Sequence, residues 1–96
     1  MKINVEMLSG PTDGEKLSFR SSFNIGRDTK ANLSLPFDRF VSRHHAQLLV
    51  EGNEIIFEDL NSTNGTFMDG NKVDGRIILQ NGQILKIGRT WVQFSW

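Results

Sequence analysis

The stretch HAQLLVEGNEIIFED, residues 45–59, reads as two strands joined by Gly52-Asn53. Glycine and asparagine reach the positive φ values that a tight hairpin turn requires. The apolar runs on either side are too short for a helix and are bounded by turn residues, as strands are. A second pair of runs, RIILQ and QILKIG, flanks Asn81-Gly82 and predicts another hairpin. The same punctuation recurs at Asp13-Gly14, Asn64-Gly65, Asp69-Gly70-Asn71 and Asp74-Gly75. Ile3, Val5 and Met7 alternate with Asn4 and Glu6, and Leu17 with Phe19 and Phe23 with Ile25 repeat the spacing. At the far end Thr90, Val92, Phe94 and Trp96 share one strand face, with Gln93 and Ser95 on the other. No window has a helical period. Many short strands with frequent turns predict an all-β protein, a two-sheet sandwich.

Size and composition narrow the function. With 96 residues the chain is long enough for one domain, 1–96, and too short for two. It begins and ends inside apparent strands, as a domain cut from a longer protein would. Formal net charge is zero, which argues against a general nucleic-acid or membrane-surface binder. There is no cysteine, hence no disulfide framework and no thiolate metal site. No apolar run approaches the roughly 18 residues of a membrane-spanning helix. Asn4 and Glu6 interrupt the first apolar segment, so it does not read as a signal peptide. A cytoplasmic globular domain, monomeric and without cofactor or metal, is expected.

Charge is unevenly spread. Residues 51–74 hold Glu51, Glu54, Glu58, Asp59, Asp69 and Asp74 against Lys72 alone. Residues 27–45 hold Arg27, Lys30, Arg39 and Arg43 against Asp28 and Asp38. That cationic spot suits one anion rather than a polyanion. It also falls in the longest stretch without strand character, residues 27–44, broken only by NLSL. Long ordered loops in compact domains are usually functional.

Polar residues gather in three loops: Gly26-Arg27, SRHH at 42–45, and DLNSTNGTFMDG at 59–70. Connections in a sandwich collect at its two ends, so these loops are expected on one rim, bringing Arg27, Ser42, Arg43, Thr63 and Asn64 together. Guanidiniums offer planar forks of donors suited to phosphate oxygens. The Ser and Thr hydroxyls are compact neutral donors, and Asn presents a donor and an acceptor that match a peptide backbone. There is no Lys-bearing P-loop and no carboxylate set for magnesium, so a phosphate carried on a protein side chain fits better than a nucleotide.

In their order and spacing, GR at 26–27, SRHH at 42–45 and NSTNGT at 61–66 resemble the signatures of forkhead-associated (FHA) domains. The resemblance implies an eleven-stranded β-sandwich binding phosphothreonine peptides through loops at one end. It implies that Arg27 and Ser42 hold the phosphate and that Thr63 assists through hydroxyl or amide. Asn64 would bond the peptide main chain, Arg43 would lie along the same surface, and His45 would brace the loops. Gly26 and Gly65 would be backbone requirements. The implied partner is a phosphothreonine-containing segment made by a Ser/Thr kinase, in trans or in cis. Some family members carry a basic residue two places before the signature serine, which favours an acidic residue three places after the phosphothreonine. Here Phe40 holds that position, so an apolar or unselective preference is expected there.

Simpler roles compete at each position. Asn64-Gly65 explains a turn by itself, and Ser62 and Thr66 are expected to satisfy local backbone. Adjacent His44 and His45 point to opposite faces of a strand and do not chelate one ion together. Ser42 with His45 lacks a nucleophile elbow, so no enzyme is expected. The alternative to phosphopeptide binding is a phosphate-independent scaffold or oligomerisation domain that assembles through its sheet faces or exposed edges, in which Val92, Phe94 and Trp96 would matter if exposed.

Overall fold

The alternating runs become strands with one dry and one wet face. The computed structural model describes residues 1–96 and contains β1 (Ile3–Met7), β2 (Lys16–Phe19), β3 (Phe23–Gly26), β4 (Leu33–Ser34), β5 (Ala46–Glu51), β6 (Glu54–Asp59), β7 (Thr66–Met68), β8 (Asn71–Lys72), β9 (Arg76–Ile78), β10 (Ile84–Ile87) and β11 (Thr90–Ser95). The order β2-β1-β11-β10-β7-β8 makes a six-stranded sheet, and β4-β3-β5-β6-β9 a five-stranded one. The short β4 lies parallel to β3, and the other pairings described are antiparallel. A single 3₁₀ turn, Gly10–Thr12, joins β1 to β2. No helix is long and apolar enough to cross a membrane.

The hairpin at 45–59 forms as its sequence predicts, with Glu51 opposite Glu54 and Gly52 at φ 61°. A second two-residue hairpin lies between β7 and β8, where Asp69 (φ 52°) and Gly70 (φ 79°) both adopt the positive φ of a type I′ turn. The hairpin expected at Asn81-Gly82 does not form. β9 pairs with β6 in the five-stranded sheet, whereas β10 lies between β11 and β7 in the other. Each short strand gains more by adding to a sheet that already has a buried face than by pairing with its sequence neighbour. The turn is instead clasped to the last residue, Asn81 Nδ2 donating to the Trp96 carbonyl at 2.7 Å and Trp96 N–H to Asn81 Oδ1 at 3.0 Å. Asn64-Gly65 likewise lies on a crossing between sheets, from β6 to β7.

The inner faces meet in one cluster of 18 buried apolar residues. Phe57 of β6 and Phe94 of β11 touch edge to face across the sheets at 6.2 Å. Each fully buried Phe, Leu or Ile stabilises the fold by about 1.5–3 kcal/mol. Val92 and Phe94 are fully buried, Thr90 nearly so, and Trp96 packs against the same cluster. The last strand thus has the core face its alternation predicts, and Val92 and Phe94 present no outer surface for assembly.

Register places the loops. Ile25 of β3 stands opposite Ala46 of β5, and Ala46 opposite Asp59 of β6. Because β5 runs antiparallel to both neighbours, the end of β3, the start of β5 and the end of β6 form one rim of the five-stranded sheet. The connections after Gly26, before Ala46 and after Asp59 leave from that rim.

Candidate functional site

Gly26 closes the first loop onto the second. A Cβ there would lie 1.9 Å from the Arg43 carbonyl oxygen, so no side chain fits. The close approach lets Arg27 N–H donate to the Ser42 carbonyl at 3.0 Å and His45 N–H to the Ile25 carbonyl at 3.0 Å. Gly65 has a different reason: its φ of +83° belongs to the region glycine tolerates.

His45 ties the second loop to the third from inside. It is fully buried, and its Nδ1 accepts the Ser42 N–H at 3.0 Å. The ring hydrogen is therefore on Nε2, which lies 3.2 Å from the Gly65 carbonyl and 3.1 Å from Thr66 Oγ1. Thr66 passes its own hydrogen to Asp59 Oδ2 at 2.8 Å. Thr66 is itself fully buried and bonds two side chains, a correction to the expectation that it serves local backbone. Ser62 does meet that expectation in part, accepting Gly65 N–H at 3.1 Å while donating to Asp59 Oδ2 at 2.7 Å.

Asp59 organises this loop and was missed as a candidate. It takes Ser62 N–H at 2.8 Å and both hydroxyls. The available signal was its spacing, a carboxylate three residues before a serine at the end of a strand. Burial pushes the Asp59 carboxyl up, but the Ser62 and Thr66 donors and the nearby imidazole outweigh it, and its pKa ends below the ordinary value. For His45 burial dominates over the attraction of Asp59, and the imidazole pKa falls below 6.5. At neutral pH the buried network therefore holds one neutral ring and one carboxylate.

On the solvent side the second and third loops are joined again. Thr63 N–H donates to Ser42 Oγ at 3.0 Å, and Asn64 Nδ2 donates to the Phe40 carbonyl at 3.1 Å. The Ser42 hydroxyl is thus fixed as an acceptor while its own hydrogen has no acceptor in the protein. The Thr63 amide is used, leaving its hydroxyl; Asn64 keeps Oδ1 unbonded. The Arg27 side chain is partly buried and enters none of the ion pairs of the molecule. Arg43 is exposed and opens onto a neighbouring groove of about 310 Å³ that it shares with Lys30, His44 and Leu60. Arg27, Ser42 and Thr63 are joined directly by hydrogen bonds, Asn64 is tied to the same loop through the Phe40 carbonyl, and Arg43 borders the set without bonding to it.

The family model described as FHA domain matches residues 23–88. The chain belongs to the FHA family. FhaB of Mycobacterium tuberculosis, an FHA domain-containing protein, is 39% identical over 69 residues, covering 72% of this chain and 44% of that protein. The FHA domain here spans about half the length of the curated relatives it matches. A solved FHA domain studied for phosphothreonine-dependent interactions superimposes with a TM-score of 0.86 at 29% identity, covering 100% of this chain and 97% of that one. The FhaA FHA domain, solved in complex with the intracellular domain of Rv3910, gives a TM-score of 0.83 at 30% identity over 96% and 98% of the two chains.

Proposed function

We propose that this FHA domain recognises a phosphothreonine-containing protein segment and carries out no chemistry on it. Arg27 and the Ser42 hydroxyl hydrogen hold the phosphate, the Thr63 hydroxyl assists, and Asn64 Oδ1 takes a main-chain N–H of the peptide. Arg43 meets the phosphate or the chain beside it. Gly26, His45 and Gly65 support the site without touching ligand. The observation that carries the reading is the Thr63–Ser42 bond, which points a hydroxyl with a free hydrogen from the rim that also carries Arg27. A phosphate ester has about −1.5 to −2 charges at neutral pH and three acceptor oxygens, matching a cationic fork beside neutral donors. Its ligand is one made by a Ser/Thr kinase, and the domain acts as a cytoplasmic monomer on a partner in trans or on its own polypeptide. The relative studied for phosphothreonine-dependent interactions supports the same choice.

Titration calorimetry with matched peptides tests this. Binding of the phosphothreonine peptide and none of its unphosphorylated twin is expected. Equal affinity for the two overturns the reading.

A further inference from the structure

Four side chains stand in a row across the outer face of the six-stranded sheet. Register sets Lys72 of β8 opposite Phe67 of β7, Phe67 opposite Lys86 of β10, and Lys86 opposite Trp91 of β11. Their chain neighbours Thr66, Leu85, Ile87 and Val92 are fully buried, so the row points outward. Phe67, Lys86 and Trp91, with Gly70, line an open groove of about 230 Å³. We propose that this row is an interaction surface separate from the phosphopeptide site, and that it takes an acidic amphipathic helix of a partner protein without need of phosphate. The inference does not rest on the phosphothreonine reading.

The row is fixed from below. Trp91 is 44% exposed, yet its N–H donates to Ser9 Oγ at 3.0 Å and its carbonyl accepts the Leu8 N–H at 2.9 Å. The Lys86 ammonium stands over the indole, 5.8 Å from the ring centroid. A Cβ on Gly65 would meet Lys72 Cε at 3.2 Å and Phe67 Cε1 at 3.4 Å, so those two side chains lie together as well. Neither ammonium enters an ion pair. Glu6, the acid that shares this face on β1, stands opposite Lys16 instead. Ile84, also exposed, lies two residues from Lys86 on the same face of its strand and widens the apolar part. Exposed aromatics beside unpaired cations are the composition of an interface that takes apolar and acidic side chains together.

Spacing selects the shape of the partner. Adjacent strands lie about 4.8 Å apart, so cation and ring alternate at that interval along the row. A helix advances about 5.4 Å per turn and can set one side chain per turn along a line. An extended segment sets its same-side residues about 6.7 Å apart. Over the three steps of the row a helix drifts about 2 Å out of step and a strand about 6 Å. A helix with acidic and apolar residues on alternate turns therefore meets Lys72, Phe67, Lys86 and Trp91 in order. Single-stranded nucleic acid fits less well. It stacks bases on ring faces, and the Lys86 ammonium already occupies one face of Trp91. A chain with zero net charge also gives a polyanion little long-range attraction. Trp91 lies outside residues 23–88, so the row is not contained in the matched family pattern.

The test pans a displayed library of random unphosphorylated peptides on the wild-type domain, with Lys86→Glu as counter-selection. Enriched peptides are expected to carry Asp or Glu with Leu, Ile or Phe at helical spacing. In anisotropy titrations, fluorescent copies should bind the wild type about tenfold or more tightly than they bind Lys86→Glu or Trp91→Ala. Unchanged thermal midpoints show the variants folded, and Lys86→Glu, which leaves the indole in place, carries the test if Trp91→Ala does not fold. The proposal is overturned if panning enriches nothing, if the enriched peptides lack acids, or if they bind Lys86→Glu as they bind the wild type. It is also overturned if Lys86→Glu abolishes binding of oligothymidylate, or abolishes concentration-dependent sedimentation, while no peptide depends on Lys86; the face then belongs to nucleic acid or to a second copy. Failure of a phosphothreonine peptide to bind the wild type would overturn the phosphothreonine reading and leave the row standing.

Discussion

Ser42 and Thr63 stand 21 residues apart in sequence, yet the amide of one donates to the hydroxyl of the other at 3.0 Å. The bond joins two loops of the rim and leaves the hydroxyl hydrogen without an acceptor in the protein. It gives Ser42 a structural part beside the ligand role proposed for it. Ser42→Ala should weaken phosphopeptide binding at least tenfold, the loss of one charge-assisted hydrogen bond. It should also cost about 1 kcal/mol of stability, since the exposed Thr63 amide can turn to water. Calorimetry and urea denaturation read the two effects separately.

Arg27→Ala should behave differently. Its guanidinium has no partner in the protein, so stability should stay within about 0.5 kcal/mol of wild type. Binding to phosphopeptide should fall by about one to two orders of magnitude. A large loss of stability in chemical denaturation would reassign Arg27 to structure.

Gly26→Ala places a methyl 1.9 Å from the Arg43 carbonyl oxygen. Overpacking of this kind costs about 1–3 kcal/mol or more, and backbone on both sides leaves no flexible end to yield. The seam between Gly26 and Ser42 should open. A falling thermal midpoint accompanied by lost phosphopeptide binding is the expected pair of observations.

Acid should destabilise the domain in two stages. The pKa of His45 is lower folded than unfolded, so below about pH 6.5 the unfolded chain binds a proton that the folded chain refuses. Stability is full above that value and declines as pH falls towards the folded one. Asp38 and Asp59 are also lowered, through donors that outweigh their burial. Their contribution is full above the ordinary value of 3.8 and is lost as pH falls through their folded values. Thermal midpoints across pH, for wild type and His45→Gln, should show the first decline only in the wild type.

Arg76 offers a contrast. It reaches Glu51 at 3.1 Å and Glu58 at 3.7 Å, but it and Glu51 are about half exposed. Arg76→Ala should change urea stability by less than about 1 kcal/mol, and any difference should vanish in high salt.

Local signals carried well from sequence to structure. The β5–β6 hairpin and the buried face of β11 were legible because a period of two and a Gly-Asn turn are written within a few residues. The assignment of strands to sheets was not: β9 and β10 flank a good turn, and only their distant partners decide that they separate. At the site, the order of Gly26-Arg27, Ser42 and Asn64 announced a shared rim. Asp59 and Asp38 stayed hidden because their roles lie in accepting N–H and O–H groups from loops whose shapes the sequence does not spell out. Arg89 over Phe40 is a contact between segments about 49 residues apart, beyond the reach of any local pattern.

The two bonds at Ser42 differ in what must move to break them. Its amide is held by a fully buried imidazole, whereas the Thr63 amide rests on a serine hydroxyl in an exposed setting. Deuterium should enter the Thr63 position through small local excursions and the Ser42 position only when the sandwich itself comes apart. On that expectation the Ser42 side of the rim would hold for as long as the sandwich does, while the Thr63 side would give way locally.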